Sequence, residues 1–219
     1  MIYDFSYFFS NQMKALLYCN EKKKQLSGIL NELNIKSKKI AVPEQIHSNN
    51  VQLINENGTF INNDGLVTTN QKLILSIKVA DCVPIFLQDQ KNNTFGLVHS
   101  GWRGTADNIV KCAIEKMILV QSNVKDIKVF LGPSIKSCCY EVDYKVAKKF
   151  SKISKIKINE NKWMLDLHKE IKKNLMQLGI LELNIKSSEI CTFDQQDCHS
   201  FRRNGKFAGR MVAFMGILK

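Results

Sequence analysis

The stretch KLILSIKVADCVPIFLQDQKNNTFGLVHSGWRGT, residues 72–105, constrains the fold more than any other part of the sequence. KLILSIKV (72–79) alternates and is rich in β-branched residues, as a strand requires. VPIFLQ and TFGLVH follow as two more apolar runs, separated by the polar turn DQKNN, and predict two neighbouring strands. Two short junctions, ADC (80–82) and HSG (99–101), then fall at the ends of adjacent strands. From Thr105 the period changes to that of a helix, with Ile109, Ala113, Met117 and Val120 recurring, so GWRG is predicted as a strand-to-helix turn. The first amides of a helix lack partners and point at whatever anion lies before them. Further along, DIKVFLGP reads as a strand running into a loop, and KFAGRMVAFMGIL as a closing strand. DYKVAKKFSKI and LDLHKEIKKNLMQLGI read as amphipathic helices, the second with Leu167, Ile171 and Leu175 inward. Strands and helices mix without strict alternation, which predicts an α+β fold of layered mixed β-sheets flanked by helices. With 219 residues, 44% of them apolar, the chain can bury a substantial core. No linker, low-complexity segment or repeat interrupts it, so a single domain over 1–219 is expected.

The choice of basic residue is the next signal. Thirty-two lysines and arginines are present, yet only Arg103, Arg202, Arg203 and Arg210 are arginine, all within GWRG and FRRNGKFAGR. A chain that uses lysine elsewhere retains arginine where a planar, permanently charged fork is needed, as for phosphate or carboxylate. Packing on aromatics and capping of helix ends are the alternatives for any one of them. The net charge of +12 invites a nucleic-acid reading, but the lysines are scattered as EKKK, KSKK, KKFSKISKIK and HKEIKK, a pattern of solvated faces. No RNP-like aromatic pair, zinc-finger spacing or basic-aromatic interleaving accompanies them, so no dedicated nucleic-acid site is expected. The N-terminus has no basic leader with an apolar core, and no apolar run approaches a membrane span, which predicts a cytoplasmic protein. Seven cysteines without a CxxC pair do not make a disulfide framework there.

Two of the four histidines occupy abrupt junctions, His47 in PEQIHSNNV and His99 in GLVHSGW, and Cys82 in ADCVP is a third candidate. Together they offer two imidazoles and a thiolate, a set that suits zinc and leaves a fourth position for water. Such water is acidified toward neutrality and can attack an electrophilic carbon. Gaps of 35 and 17 residues are not a closed zinc-finger pattern, so spacing alone leaves open that the three are ordinary buried residues. His168, at helical spacing from Ile171 and Leu175, reads as a core-edge histidine, and Cys112 as packing. Cys138 and Cys139 are adjacent, which disfavours a bridge between them; Cys191, Cys198 and His199 stay open.

The succession QIHSNNV, DGLVTTN, ADCVPIFL, VHSGWRGT, GPSIKSCCYEV, CTF and SFRRNGKFAGRMVAF, over residues 40–217, resembles the purine nucleoside phosphorylase family once called laccase-domain or polyphenol-oxidase proteins, also known as peptidoglycan editing factors. The resemblance implies zinc held by His47, Cys82 and His99. It also implies phosphorolysis of adenosine, inosine, guanosine and methylthioadenosine, with adenosine deamination as a second activity, so that purine nucleosides and inorganic phosphate are the expected partners. Where the family commonly has an FFSYRR-like segment this chain has CHSFRR, which removes aromatics at Cys198 and His199 but keeps the arginine pair. Phosphorolysis must bring an anion to C1′ of the ribose, a task for Arg103 first and for Arg202, Arg203 and Arg210 as a second cluster. Deamination needs an activated water and a proton shuttle, for which Asp81 or Glu141 are candidates. A copper oxidase is a competing reading, since two His and one Cys are also a blue-copper ligand set. Four histidines are too few for the accompanying trinuclear cluster. In a third reading Cys82 is a nucleophile and His99 its base, giving a thiol hydrolase or amidase.

Overall fold

The three apolar runs form the strands expected of them, and two cores, one on each face of β8 and β9, explain why those runs are apolar throughout. In a computed structural model that describes residues 1–9, 12–19, 28–29, 31 and 39–217, the strands are β1 (Ile2–Asp4), β2 (Met13–Tyr18), β3 (Lys39–Pro43), β4 (Val51–Ile54), β5 (Gly58–Phe60), β6 (Gly65–Thr68), β7 (Leu73–Val79) and β8 (Val83–Asp89). They continue as β9 (Thr94–Ser100), β10 (Lys128–Leu131), β11 (Glu141–Asp143), β12 (Lys155–Lys157), β13 (Lys162–Leu165), β14 (Ile185–Ser187) and β15 (Met211–Ile217). One six-stranded sheet has the order β1-β2-β15-β7-β3-β5, a second β14-β10-β8-β9-β6-β4, and β11, β13 and β12 form a small third sheet. Both large sheets mix parallel and antiparallel neighbours: β3 runs parallel to β7, whereas β8 and β9 are antiparallel.

Side chains of β8 alternate between two cores. Val83, Ile85 and Leu87 face the helices, while Phe86 joins Leu73, Leu75 and Ile77 of β7 between the two large sheets. Strands covered on both faces read as continuous apolar runs even when antiparallel. Phe86 is fully buried, and truncating such a ring to alanine costs about 3–5 kcal/mol. The result is a layered, mixed α+β domain: sheet on sheet, with helices on the outer face of the second sheet.

Three elements differ from expectation. The helix after β9 starts at Trp102, not Thr105, as a short α1 (Trp102–Ala106), and breaks before α2 (Ile109–Leu119). Asn108 causes the break by adopting a left-handed φ of 56°, a conformation asparagine tolerates. Ile109, Ala113 and Met117 are buried as expected, whereas Val120 terminates the helix. Gly101 alone is therefore the strand-to-helix junction, and Arg103 lies inside the first turn. DYKVAKKFSKI yields only one turn, α3 (Tyr144–Ala147), capped by the Asp143 carboxylate. The Glu170 carboxylate then accepts from the Ser151 backbone N–H and hydroxyl, pinning the segment before a second turn can form. Glu170 belongs to α4 (Leu167–Gln177), which buries Leu167, Ile171 and Leu175 as its spacing predicts. A last short helix, α5 (Phe201–Asn204), precedes a 3-10 turn at Gly205–Phe207, so the closing strand begins at Met211. The EKKK run (21–24), residues 36–38 of KSKK, and residue 218 of the closing run lie outside the described residues. No helix among the described residues is long and apolar enough to cross a membrane.

Candidate metal centre and pocket

Antiparallel pairing sets Val83 opposite Ser100 and Pro84 opposite His99, so Cys82 and His99 meet at one end of the β8–β9 ladder. His47 arrives from the loop after β3, its ring edge-on to that of His99 with centroids 4.9 Å apart. One donor atom from each of His47, Cys82 and His99 lies within 4.8 Å of the others. His99 is buried, Cys82 half-buried and His47 exposed, so the cluster opens to one side.

A residue that sequence reasoning did not single out organises the group. Asp64, completely buried, accepts at Oδ1 from the His47 N–H (3.0 Å), and at Oδ2 from Ile46 N–H (3.2 Å), Ser48 N–H (2.6 Å) and the Ser48 hydroxyl (2.8 Å). The same Oδ1 lies 2.8 Å from His99 Nδ1, which fixes the ring and leaves Nε2 for the cluster. In sequence Asp64 stands in Asn63-Asp64-Gly65 before an apolar run, where it is indistinguishable from an ordinary turn aspartate.

The charges follow from this geometry. Burial would raise the Cys82 thiol, but the charge of His99 and hydrogen bonds from His47 and His99 outweigh it and bring the pKa to about 6. Burial would lower His99, but the Cys82 charge and the Asp64 hydrogen bond lift it to about 9. Burial would also raise Asp64, yet the bonds from His99 and Ser48 hold it at about 2. A thiolate between two imidazoles, with a carboxylate behind one of them, is the donor chemistry of a borderline-soft divalent ion. The space is kept clear as well: a Cβ added to Gly101 would lie 3.0 Å from Cys82 Sγ and 3.3 Å from the His47 ring. The residues fit a three-ligand, open metal site.

A cavity of about 550 Å³ adjoins the cluster, and His47, Cys82 and His99 form part of its wall. Of the expected anion-binding residues it brings together Arg103, Arg202 and Arg210. The Arg103 guanidinium rests on the Trp102 ring at 4.4 Å and has no hydrogen-bond or ion-pair partner among the described residues. Arg202 sits over Tyr140 at 5.0 Å and donates to the Glu141 carbonyl, and Arg210 donates to the Ala208 and Gly209 carbonyls. Trp102, Tyr140 and Phe201 add aromatic surface, and Lys78 a further cation; none of these four was singled out from the sequence.

Three expected residues are placed for other work. Arg203 does not line the cavity; its guanidinium donates to the carbonyls of Thr192 (3.1 Å), Phe193 (2.6 Å) and Cys198, clamping the 192–198 loop. Its fork is occupied by backbone, which corrects the expectation of phosphate binding there. Glu141 is exposed, its carboxylate is paired with Lys162 at 2.5 Å, and it does not line the cavity. Asp81 does border the cavity, but its carboxylate is occupied by Thr192 Oγ1 (2.7 Å), Ser200 Oγ (3.1 Å) and the Arg202 N–H (2.6 Å). That is the pattern of a positioning residue rather than a proton shuttle. His168 is a buried core-edge histidine as its spacing predicts, and Cys198 packs between the two large sheets.

Comparison with known proteins places this geometry. A purine nucleoside phosphorylase of Clostridium acetobutylicum is 33% identical over 219 residues, covering 96% of this chain and 91% of that one. A protein named purine nucleoside phosphorylase from Borreliella burgdorferi is 32% identical over 84% of this chain and 82% of its own length. One named adenosine deaminase, from an unknown prokaryotic organism, is 30% identical over 86% and 78% respectively. The crystal structure of the Bacillus licheniformis hypothetical protein YfiH superposes with a TM-score of 0.88 at 25% identity, covering 94% of this chain and 93% of that one. Residues 21–218 match the family described as multi-copper polyphenol oxidoreductase laccase, and the chain belongs to that family.

Proposed function

We propose that the chain is a zinc-dependent purine nucleoside phosphorylase acting on adenosine, inosine, guanosine and methylthioadenosine, with adenosine deamination as a second activity. The observation that carries this is the single cavity joining the His47, Cys82 and His99 donor cluster to Arg103, a guanidinium with no hydrogen-bond or ion-pair partner among the described residues. The names of the relatives agree with it.

In phosphorolysis a phosphate oxygen forms a bond to C1′ as the C1′–N bond to the purine breaks, and the purine leaves with that electron pair and takes up a proton. Arg103, supported by Arg202 and Arg210, holds the phosphate through paired N–H donors and offsets its charge as it approaches the ribose. Trp102, Tyr140 and Phe201 offer the purine flat apolar faces. Zinc held by His47, Cys82 and His99 would supply Lewis acidity and a water acidified toward neutrality. Asp81 orients Arg202 through its backbone N–H, and so serves the anion site without touching substrate.

Copper chemistry of the multicopper kind needs a trinuclear cluster of imidazoles, and this chain has four histidines in all. One of them, His168, is buried against Ser134 and Lys136. A thiol hydrolase reading has one observation in its favour: Cys82, His99 and Asp64 are arranged as nucleophile, base and orienting carboxylate. His47 counts against it, because a second imidazole beside the thiolate is a ligand's place and not a triad's.

Product analysis with adenosine decides among these. Adenine and ribose 1-phosphate should appear only with phosphate, and inosine should form without it. Turnover of neither kind, in protein saturated with zinc, would overturn the proposal.

A further inference from the structure

We propose that Cys138, Cys139, Cys191 and Asp194 form a second metal site, a closed one for a thiophilic divalent cation such as zinc. Donor atoms of these four residues lie within 4.8 Å of one another. They come from two tight turns. Cys139 and Tyr140 both donate their N–H groups to the Lys136 carbonyl, which curls the chain so that consecutive thiols point the same way. Gln195 donates its N–H to the Cys191 carbonyl, which places Asp194 over Cys191 on one turn. A bridge pairing Ser134 with Cys191 holds the two turns side by side.

The distances suit a metal better than a disulfide. Cys138 Sγ lies 3.2 Å from Cys139 Sγ and 3.5 Å from one Asp194 oxygen, and Cys139 Sγ lies 3.3 Å from the other. Tetrahedral ligands about 2.3 Å from zinc stand roughly 3.8 Å apart, so donor atoms that already lie within 4.8 Å of one another need shifts of about an ångström or less to assemble the shell. A bridge between Cys138 and Cys139 is disfavoured, because adjacent Cα atoms are about 3.8 Å apart and disulfides ordinarily need about 4.4–6.8 Å. Asp194 has no cationic partner among the described residues; the nearby Lys136 ammonium is committed to His168 and to the Ser188 carbonyl. Its carboxylate faces thiols alone, an arrangement that a cation completes. A cavity of about 610 Å³, lined by Lys136, Cys138, Asp166, His168, Cys191 and Asp194, gives an ion access.

Three thiolates and a carboxylate close the coordination shell, which marks a structural site, in contrast to the open three-ligand cluster. Its mechanical consequence is specific. Thr192, next to Cys191, donates its hydroxyl to Asp81, and Tyr140, next to Cys139, carries Arg202 on its ring. An ion here therefore staples the turn that ends at Tyr140, on whose ring Arg202 rests, to the turn whose Thr192 holds Asp81.

The test uses the full chain, stripped with chelator and reloaded with zinc alone. The wild type should take up two equivalents by elemental analysis, and a His47→Ala, Cys82→Ala, His99→Ala variant one. Adding Cys138→Ser and Asp194→Asn to that variant should abolish the remaining equivalent. A triple variant that folds and binds no zinc overturns the proposal. Should that variant fail to fold, the wild type serves: zinc should slow alkylation of Cys138, mapped by mass spectrometry, at least about tenfold. Equal alkylation with and without zinc, or a disulfide among the three cysteines in reduced preparations, overturns it as well.

Discussion

Asp64→Asn isolates the contribution of the buried carboxylate, since the side chain keeps its shape and loses its charge and one acceptor. The five hydrogen bonds to Asp64 divide into two at Oδ1, from His47 N–H and His99 Nδ1, and three at Oδ2, from two backbone N–H groups and the Ser48 hydroxyl. Whichever way the amide is turned, its NH2 meets at least two groups that now donate. A hydroxyl or an imidazole can adjust, but the backbone N–H groups cannot. An orphaned donor at such a site costs about 1–3 kcal/mol, so the loss in folding free energy should be about 2–4 kcal/mol, read as a lowered urea midpoint at unchanged slope. The metal cluster should suffer separately. His99 loses the partner that fixes its tautomer, and loss of such support lowers metal affinity about 10- to 100-fold. A competition titration of zinc against a chromogenic chelator measures this directly. A variant within about 0.5 kcal/mol of wild type, with zinc affinity unchanged, would refute the assignment of Asp64 as the organiser of the site.

Arg103→Lys keeps the charge and removes the fork, so phosphate KM should rise about tenfold or more while the thermal midpoint stays put; equal losses of both would point to packing on Trp102 instead. Arg203→Lys should act chiefly on folding, lowering stability by about 1–2 kcal/mol through lost carbonyl bonds, and should raise phosphate KM less than Arg103→Lys does, through the loosened 192–202 segment. His168 supplies the pH prediction. Burial, and then the neighbouring Lys136 charge, depress its pKa to about 3 from an ordinary 6.5. Below 6.5 the unfolded chain takes up a proton that the folded chain refuses. Its contribution is therefore intact above pH 6.5 and is lost as pH falls toward 3, by roughly 1 kcal/mol per pH unit. Urea unfolding at pH 7 and pH 5 should show a steeper loss for wild type than for His168→Gln; parallel losses would refute the assignment.

What was legible in the sequence was whatever a local period encodes. The β8 and β9 runs and the inward face of α4 could be read because burial on a regular element leaves an apolar repeat. The start of α1 could not, because Trp-Arg-Gly carries no helical pattern and the break at Asn108 hides inside a period that looks continuous. The cluster of His47, Cys82 and His99 was visible as residue types at abrupt junctions, and the β8–β9 register accounts for two of its members. The arginines show the limit most clearly. Arg202 and Arg203 are adjacent and chemically identical, yet one borders the cavity and the other grips the carbonyls of Thr192 and Phe193. No composition or spacing argument separates neighbours that a single turn of α5 sends in different directions.

The same limit explains why Asp64 escaped notice and why Asp81 was expected as a proton shuttle, and it identifies what the loops around the site require. Gln45, His47 and Asp81 all adopt left-handed φ, 61°, 62° and 82°, although none is glycine. Each such residue costs on the order of 1–3 kcal/mol unless its surroundings hold it. Asp64 does so for the first loop by collecting the N–H groups of Ile46, His47 and Ser48. Gln45 is held by its own side chain, which donates to the Lys78 carbonyl and accepts the Lys78 N–H along the edge of β7. Asp81 is held by Thr192, Ser200 and the Arg202 N–H. The backbone immediately before Cys82 is thus kept in place by a loop more than a hundred residues away, the one that Arg203 clamps. The proposed ligand and anion residues are consequently one mechanical unit: whatever loosens the 192–202 segment disturbs Cys82 and the Arg202 fork together.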